Sequence, residues 1–237
     1  MSRIVAIGGG EIAREETEPI DQYICDAAGS ATPRVLFVPT ASGDAGGYCD
    51  TFDSYYGDTL GCETRHLLLH DDGVEREEIR TNIDWADVVY VGGGSVPLLL
   101  DCWQTHGVDQ LLYEAYQEGT IMTGLSAGAM CWFASGLSDS VAGTEFTMTD
   151  CLGWIDDLAC TPHAGAGRRP PFRDELEAES MSGIALEDCC AIEISDGQYR
   201  ILSATGEETA YSYTHRDGSV ECSTLPEGEF DDLSALL

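Results

Sequence analysis

Residues 121–130 read Ile-Met-Thr-Gly-Leu-Ser-Ala-Gly-Ala-Met, an apolar run that meets a series of small residues at Ser126. This pattern predicts a strand that turns sharply into a helix and projects the serine hydroxyl above a sheet, a turn that requires small neighbours. The helix N-terminus would add partial positive charge beside the hydroxyl, which favours a developing oxyanion. Ser126 is therefore a candidate nucleophile, although this segment alone fits a helix-capping serine equally well.

Short apolar runs alternate with helical stretches on both sides of this turn. Strands are predicted at residues 4–7, 35–38, 64–69, 88–91 and 121–125. Helices are predicted at residues 19–28, 96–116 with a break at His106-Gly107, and 127–134. This alternation is typical of an α/β fold in which helices flank a mostly parallel sheet.

The final third of the chain has a different pattern. A helix is predicted at residues 172–181, and closely spaced strands follow at 191–194, 199–202, 209–213 and 220–222. The Asp196-Gly197 and Asp217-Gly218 pairs between strands are hairpin signals. We expect these strands to extend one edge of the sheet in antiparallel fashion. The expected organisation is a single domain of residues 1–237, with a loose acidic tail at 227–237.

A second glycine-rich element, residues 91–97, ends the strand that precedes the turn at Ser126. If the two strands are neighbours, the amides of Gly93 and Gly94 can complete an oxyanion hole with that of Ala127, because glycine permits close approach. A tight strand-to-helix turn or a phosphate loop are the alternatives. Neither the dinucleotide fingerprint nor the lysine of a phosphate-binding loop is present.

A serine nucleophile needs a base, and His163, in a loop with Pro162 and Gly165, is the candidate. The acid that would orient its ring is Asp139, with Glu145 and Asp150 as alternatives. Because acidic residues are abundant in this chain, proximity in sequence is weak evidence for any of them.

The net charge of −32 is distributed along the whole chain, and the 11 basic residues are all arginines. A distributed acidic surface suits solubility in concentrated salt, where screening weakens self-repulsion. The composition therefore predicts a salt-adapted cytoplasm. It argues against binding to nucleic acid or to an anionic membrane, because no basic face is available to neutralise phosphates.

The 10 cysteines show no CxxC spacing, the sequence contains no long apolar run, and we expect no signal peptide. We expect reduced, mostly buried thiols in a cytoplasmic protein. With five scattered histidines, no metal site is predicted.

Taken together, these segments resemble the peptidase E family, which includes dipeptidase E and, more distantly, cyanophycinase. The resemblance rests on residues 8–11 (GGGE), 37–42 (FVPTAS), 90–94 (YVGGG), 124–129 (GLSAGA), 138–140 (SDS) and 162–163 (PH). It implies a three-layer α/β/α sandwich like that of class I glutamine amidotransferases, with serine in place of their cysteine. It also implies a Ser-Asp/Glu-His order along the chain, with Ser126 as nucleophile, Asp139 as orienting acid and His163 as base.

One residue departs from the family pattern, and a cluster of arginines stands out in a chain with few basic residues. Ser95 stands where asparagine often follows the three glycines. Whether the side chain at this position contacts substrate is therefore an open question for this chain. Arg168, Arg169 and Arg173 cluster just after His163. They suit a substrate carboxylate through bidentate pairing, and they suit ion pairs with the acidic surface equally well.

The sequence predicts a serine peptidase that hydrolyses short peptides without a cofactor, as a monomer or a homodimer. Another acyl hydrolase on the same scaffold, such as an esterase or a cyanophycinase-like enzyme, is the enzymatic alternative. A non-catalytic binding relative is the alternative from a different class.

Overall fold

The computed structural model describes residues 2–70, 73–139, 146–216 and 218–237. Its strands, in chain order, are β1 Arg3–Ile7, β2 Arg34–Val38, β3 Glu63–His66, β4 Val88–Val91, β5 Ile121–Leu125, β6 Phe133–Ser138, β7 Thr147–Asp150, β8 Ile155–Thr161, β9 Ser182–Leu186, β10 Cys190–Ser195, β11 Gln198–Ser203, β12 Ala210–Arg216, β13 Ser219–Leu225 and β14 Asp231–Asp232. The α-helices are α1 Glu18–Ala27, α2 Gly46–Phe52, α3 Arg76–Trp85, α4 Val96–His106, α5 Val108–Glu118, α6 Ala127–Met130 and α7 Arg169–Glu179. A π-helical segment, Asp53–Thr59, continues α2.

The main sheet has the strand order β14-β11-β10-β1-β5-β4-β2-β3. Five neighbouring strands pair in parallel, in the order β1, β5, β4, β2 and β3. On the other side of β1, the strands β10, β11 and β14 pair in antiparallel fashion. Since β5 lies between β1 and β4, the segments that follow these three strands meet at one edge of the sheet. This arrangement confirms the predicted α/β fold with antiparallel strands at one edge.

Both faces of the main sheet are covered by helices, which gives three layers. Successive residues of a strand point to opposite faces. Accordingly, Leu36 and Val38 join the core cluster that contains the buried residues of α3, α4 and α5. Val35 and Phe37 join a second cluster with α1, α2 and the π-helical segment. Burial on both faces explains why these strands read as continuous apolar runs.

A second sheet, with the order β13-β12-β9-β8-β6-β7, was not predicted. The expectation that all the C-terminal strands extend the main sheet is therefore wrong for β12 and β13, because β13 pairs with β12 and β12 pairs with β9. The predicted helix at residues 127–134 is also too long. It ends at Met130, and the chain enters β6 at Phe133, where it pairs in parallel with β8 through contacts such as that of Gly136 with Cys160.

The acidic C-terminus is attached to the molecule. Asp231 and Asp232 pair with β11, and Leu236, in a short 3₁₀ turn, is 1% exposed. The expectation of a loose tail at residues 227–237 is thus not met from Asp231 onward. Burial of one leucine and a short ladder anchor this end despite its charge.

A carboxyl group, Asp21, is fully buried in the layer formed by α1 and α2. It accepts hydrogen bonds from the hydroxyls of Thr17 (2.7 Å), Tyr55 (3.0 Å) and Tyr56 (2.6 Å). Desolvation raises the pKa of Asp21 from 3.8 to about 6, although the three hydrogen bonds oppose this shift. The folded protein therefore takes up a proton at this site more readily than the unfolded chain.

This shift predicts a pH-dependent contribution of Asp21 to stability. Because the folded-state pKa is raised, the contribution is fully present below the unfolded pKa of about 4 and is lost as the pH rises through about 6. The free energy of unfolding of the wild type should therefore fall, relative to that of Asp21→Asn, by on the order of 2–3 kcal/mol from acidic to neutral pH. Urea unfolding of both proteins across this range measures it. A difference that does not change with pH would contradict the assignment.

Candidate active site

Ser126 lies at the junction of β5 and α6 with backbone angles φ 58° and ψ −111°. A positive φ is unusual for serine and marks a strained turn. The turn is held by hydrogen bonds from the Ser126 amide to the Ile7 carbonyl (3.1 Å) and from the Ala129 and Met130 amides to the Ser126 carbonyl (3.0 Å each). The hydroxyl is thereby presented above the C-terminal edge of the parallel strands, at the N-terminus of α6.

Two glycines make this turn possible by close packing against β4. A Cβ on Gly124 would meet the carbonyl oxygens of Gly128 and Val91, the latter at 2.7 Å. A Cβ on Gly128 would overlap the Val91 carbonyl group itself. Backbone atoms cannot yield as a flexible side chain can, so larger residues at both positions are excluded.

Two glycine-rich segments flank Ser126 on opposite sides. Gly93, after β4, approaches it so closely that a Cβ there would lie 3.4 Å from the Ser126 Cβ. The predicted adjacency of these strands is confirmed by the pairing of Val91 with Gly124. On the other side, Gly9, after β1, packs so tightly against His163 and Asp188 that any Cβ there would collide with both side chains.

His163 follows β8 of the second sheet, and its Nε2 lies 2.8 Å from Ser126 Oγ. Its backbone is fixed independently of the ring: φ is 52°, and its amide donates to the Gly8 carbonyl at 2.9 Å. The amide of Ala164 donates to the Leu186 carbonyl at 2.9 Å. The candidate nucleophile and base therefore come from different sheets and meet where the two sheets adjoin.

The carboxylate that contacts the other ring nitrogen is Asp188, between β9 and β10, with Oδ1 2.5 Å from His163 Nδ1. The hydrogen bond from His163 holds the pKa of Asp188 below its usual 3.8, against the smaller opposing effect of desolvation. Sequence reasoning missed Asp188. The available signal was an acid two residues after an apolar strand, but β9 itself was not predicted, so no strand end marked Asp188 as a candidate.

Asp139, the predicted orienting acid, has a different partner. Its Oδ2 lies 3.1 Å from a guanidinium nitrogen of Arg168, and it lies at the end of β6. The expectation that Asp139 contacts His163 is therefore not met, because β9 rather than β6 brings a carboxylate to Nδ1. The contacting acid follows His163 in the chain, whereas the resemblance implied an acid between serine and histidine. Of the two alternatives, Asp150 lies in β7 and pairs with Ser135 of β6, and Glu145 lies outside the described residues.

Arg168 is buried beside the candidate nucleophile. Its side chain is 9% exposed, donates to the Pro162 carbonyl at 3.1 Å, and lies over the Phe146 ring at 4.9 Å. A cavity of about 20 Å³ next to Ser126 is lined by Arg168, Asp139 and other described residues. An ion pair thus forms part of the wall next to the serine.

Of the three amides predicted to bind an oxyanion, one has a partner. The Gly93 amide donates to the Tyr48 hydroxyl at 3.3 Å. The amides of Gly94 and Ala127 donate to no described residue. Chiefly through burial, the pKa of Tyr48 is raised, so its hydroxyl remains protonated and retains a hydrogen to donate.

The remaining predicted substrate contacts lie apart from the serine. The Ser95 hydroxyl caps α4 by accepting from the Leu98 amide at 3.4 Å. Arg169 stacks over the Tyr211 ring at 4.1 Å, and Arg173 pairs with Glu177 at 3.2 Å. Both arginines line a groove of about 310 Å³.

Within the described ranges, no helix is long and apolar enough to cross a membrane. Over the same residues, no group of three or more His, Cys, Asp or Glu side chains is arranged to hold a metal ion.

Comparison with known proteins gives consistent matches. The sequence model of peptidase family S51 matches residues 4–202. The uncharacterized peptidase YgaJ of Bacillus subtilis strain 168 is 34% identical over 215 residues, which cover 89% of this chain and 91% of that protein. Among solved structures, a peptidase from an acI-B1 actinobacterium has a TM-score of 0.73 at 17% identity, covering 98% of this chain and 97% of its own. A candidate peptidase E from Listeria monocytogenes EGD-e has a TM-score of 0.63 at 19% identity, covering 86% and 98%.

The close approach of α6 to β4 predicts that Gly128→Ala destabilises the fold. Its methyl group would overlap the Val91 carbonyl, and such overpacking costs about 1–3 kcal/mol or more. Gly47→Ala is the matched control, because that glycine lies in α2 with no atom within 4 Å of an added Cβ. The control should be neutral or slightly stabilising. Urea unfolding compares the two, and equal stability of both variants would contradict the packing.

Proposed function

Because this chain belongs to peptidase family S51 and is a serine-type peptidase, we propose that it hydrolyses short peptides with Ser126 as nucleophile, His163 as general base and Asp188 as orienting acid. The single observation that carries the proposal is the continuous chain of contacts from Asp188 Oδ1 to His163 Nδ1 (2.5 Å) and from His163 Nε2 to Ser126 Oγ (2.8 Å).

In the proposed reaction, Ser126 Oγ attacks the scissile carbonyl carbon while its proton passes to His163 Nε2. The resulting imidazolium donates that proton to the leaving amine, and an acyl-enzyme remains. Water then attacks the acyl carbon, again with His163 as base, and Ser126 is released. Asp188 accepts a hydrogen bond from Nδ1–H, which fixes the tautomer and stabilises the imidazolium. Its lowered pKa keeps Asp188 ionised throughout the neutral range.

The oxyanion formed during attack needs donors that are already in place. We assign this role to the amides of Gly94 and Ala127, which have no described partner and belong to residues that line the same cavity as Ser126. Gly93 belongs to the same turn, and its bond to Tyr48 fixes the orientation of that peptide group.

Substrate recognition is proposed at the wall of the cavity beside Ser126. Arg168 is buried and already contacts Asp139 and the Pro162 carbonyl, and its guanidinium would be shared between Asp139 and the carboxylate of an incoming substrate. Asp139, whose side chain is 68% exposed, is available to a cationic group of a short peptide. Arg169 and Arg173 line a separate groove and are proposed as secondary contacts for an extended substrate. Ser95 is proposed to act through its cap on α4, which positions the glycine turn before it.

The proposed setting is a salt-adapted cytoplasm, supported by the net charge of −32. Assays therefore belong in molar salt, where screening keeps the acidic surface from destabilising the fold.

The nucleophile is tested by labelling with a fluorophosphonate. The wild type should form a covalent adduct that maps to the peptide containing Ser126 and should hydrolyse dipeptides. Ser126→Ala should lose both properties, with kcat lowered by on the order of 10⁴-fold or more. Ser54→Ala, an exposed serine in the π-helical segment, is the control and should behave as wild type. A folded wild type that takes up no label and cleaves nothing would identify a non-catalytic relative.

The orienting acid is tested by comparing two isosteric variants. Asp188→Asn should lower kcat by on the order of 10³–10⁴-fold, because the amide cannot stabilise the imidazolium or hold the reactive tautomer. Asp139→Asn should change KM more than kcat, since that side chain contacts Arg168 rather than His163. Steady-state kinetics on one dipeptide decides between them, and a larger loss of kcat in Asp139→Asn would reverse the assignment.

A further inference from the structure

Two cysteines that the reaction does not use lie in contact in the layer formed by α1 and α2. Cys25 Sγ, near the end of α1, lies 3.4 Å from Cys62 Sγ, the residue immediately before β3. Both are free thiols. We propose that Cys25 and Cys62 form a reversible intrachain disulfide when the protein meets a low-molecular-weight disulfide of the glutathione class.

The position of the pair separates it from the active site. Cys62 directly precedes a strand of the parallel sheet and therefore lies at the N-terminal ends of these strands. Ser126 follows the end of β5 and therefore lies at the C-terminal ends of the strands. A cross-link here would join α1 to the segment that follows the π-helical turn without touching Ser126 or His163.

Burial favours this pair over a reaction with a second protein molecule. Cys25 is 2% exposed and Cys62 is 9% exposed, so the two sulfurs can reach each other more readily than a cysteine of another chain. Cys62 is the more accessible, and it follows Gly61, which is exposed and has φ 71°. Among the described side chains, no other pair of cysteines has a comparable sulfur–sulfur contact.

The chemistry balances with one equivalent of the small disulfide. The Cys62 thiolate attacks one sulfur of that disulfide, forms a mixed disulfide and expels one small thiolate, which takes up the proton lost by Cys62. The Cys25 sulfur, on losing its proton, then attacks Cys62 Sγ and expels the second small thiol. Two protein thiols are oxidised and one small disulfide is reduced to two thiols.

The order of these steps follows from accessibility, because Cys62 is 9% exposed and Cys25 is 2% exposed, and it agrees with the hydrogen bond between the two sulfurs. That bond lowers the pKa of Cys62 and raises the pKa of Cys25, which is raised further by burial and by the charges of Asp21 and Asp26. Cys62 is thus the attacking thiolate and Cys25 the resolving thiol.

The test treats the full-length protein with oxidised glutathione in molar salt, followed by intact mass measurement and non-reducing peptide mapping. The expected result is the loss of two hydrogens, a linked peptide pair containing Cys25 and Cys62, and a higher Tm that dithiothreitol reverses. The rise in Tm follows because the cross-link closes a loop in the unfolded chain. These readouts do not involve hydrolysis, so their outcome is independent of the proposed peptidase mechanism.

Three variants sharpen the test. Cys25→Ala should accumulate a glutathione adduct on Cys62, because the resolving thiol is gone, whereas Cys62→Ala should form no adduct on Cys25. Cys222→Ser, which removes an exposed cysteine, should form the cross-link as wild type does. If a variant fails to fold, the peptide map of the wild type decides. A protein that stays fully reduced, or that links other cysteines, overturns the proposal.

Discussion

His163 contacts Ser126 across the boundary between the two sheets, and this contact depends on how each sheet positions its own residue. The serine is fixed by a strained turn at the end of β5, while the histidine and Asp188 follow neighbouring parallel strands of the second sheet. A hydrogen bond from the His163 amide to the Gly8 carbonyl couples the two sheets at this point. Because the ring has a partner at each nitrogen, its orientation is set by both sheets together.

Close backbone approach is the second requirement, and glycine supplies it on each side of the serine. Gly124 and Gly128 allow the elbow to pack on β4, and Gly9 leaves room for His163 and Asp188. Gly9, after β1, thus has a packing role. Its position is explained by the space that the histidine and aspartate occupy.

Acidic side chains have two distinct environments in this molecule. Asp21 and Glu193 are fully buried with polar partners: three hydroxyl groups for Asp21, and Arg3, Arg200 and the Tyr23 hydroxyl for Glu193. Such burial is tolerated only when the charge is paired or neutralised. Most of the remaining acids face solvent, where their repulsion depends on salt rather than on packing. The net negative charge is therefore mainly a property of the surface, and the few buried carboxylates have polar partners.

The sequence alone determined the α/β class, the parallel strands and the break at Gly107. It also supplied the candidates Ser126 and His163. These features depend on hydrophobic periodicity and on turn residues, which neighbouring positions of the chain determine. The sequence did not determine the second sheet, whose short strands carry weak periodicity and gain their stability from long-range pairing. The acid beside His163 could not be chosen for the same reason: in so acidic a chain, only the pairing of β8 with β9 brings Asp188, rather than Asp139, to the ring. The role of Arg168 likewise depended on tertiary contacts, since its burial is decided by the residues that fold against it.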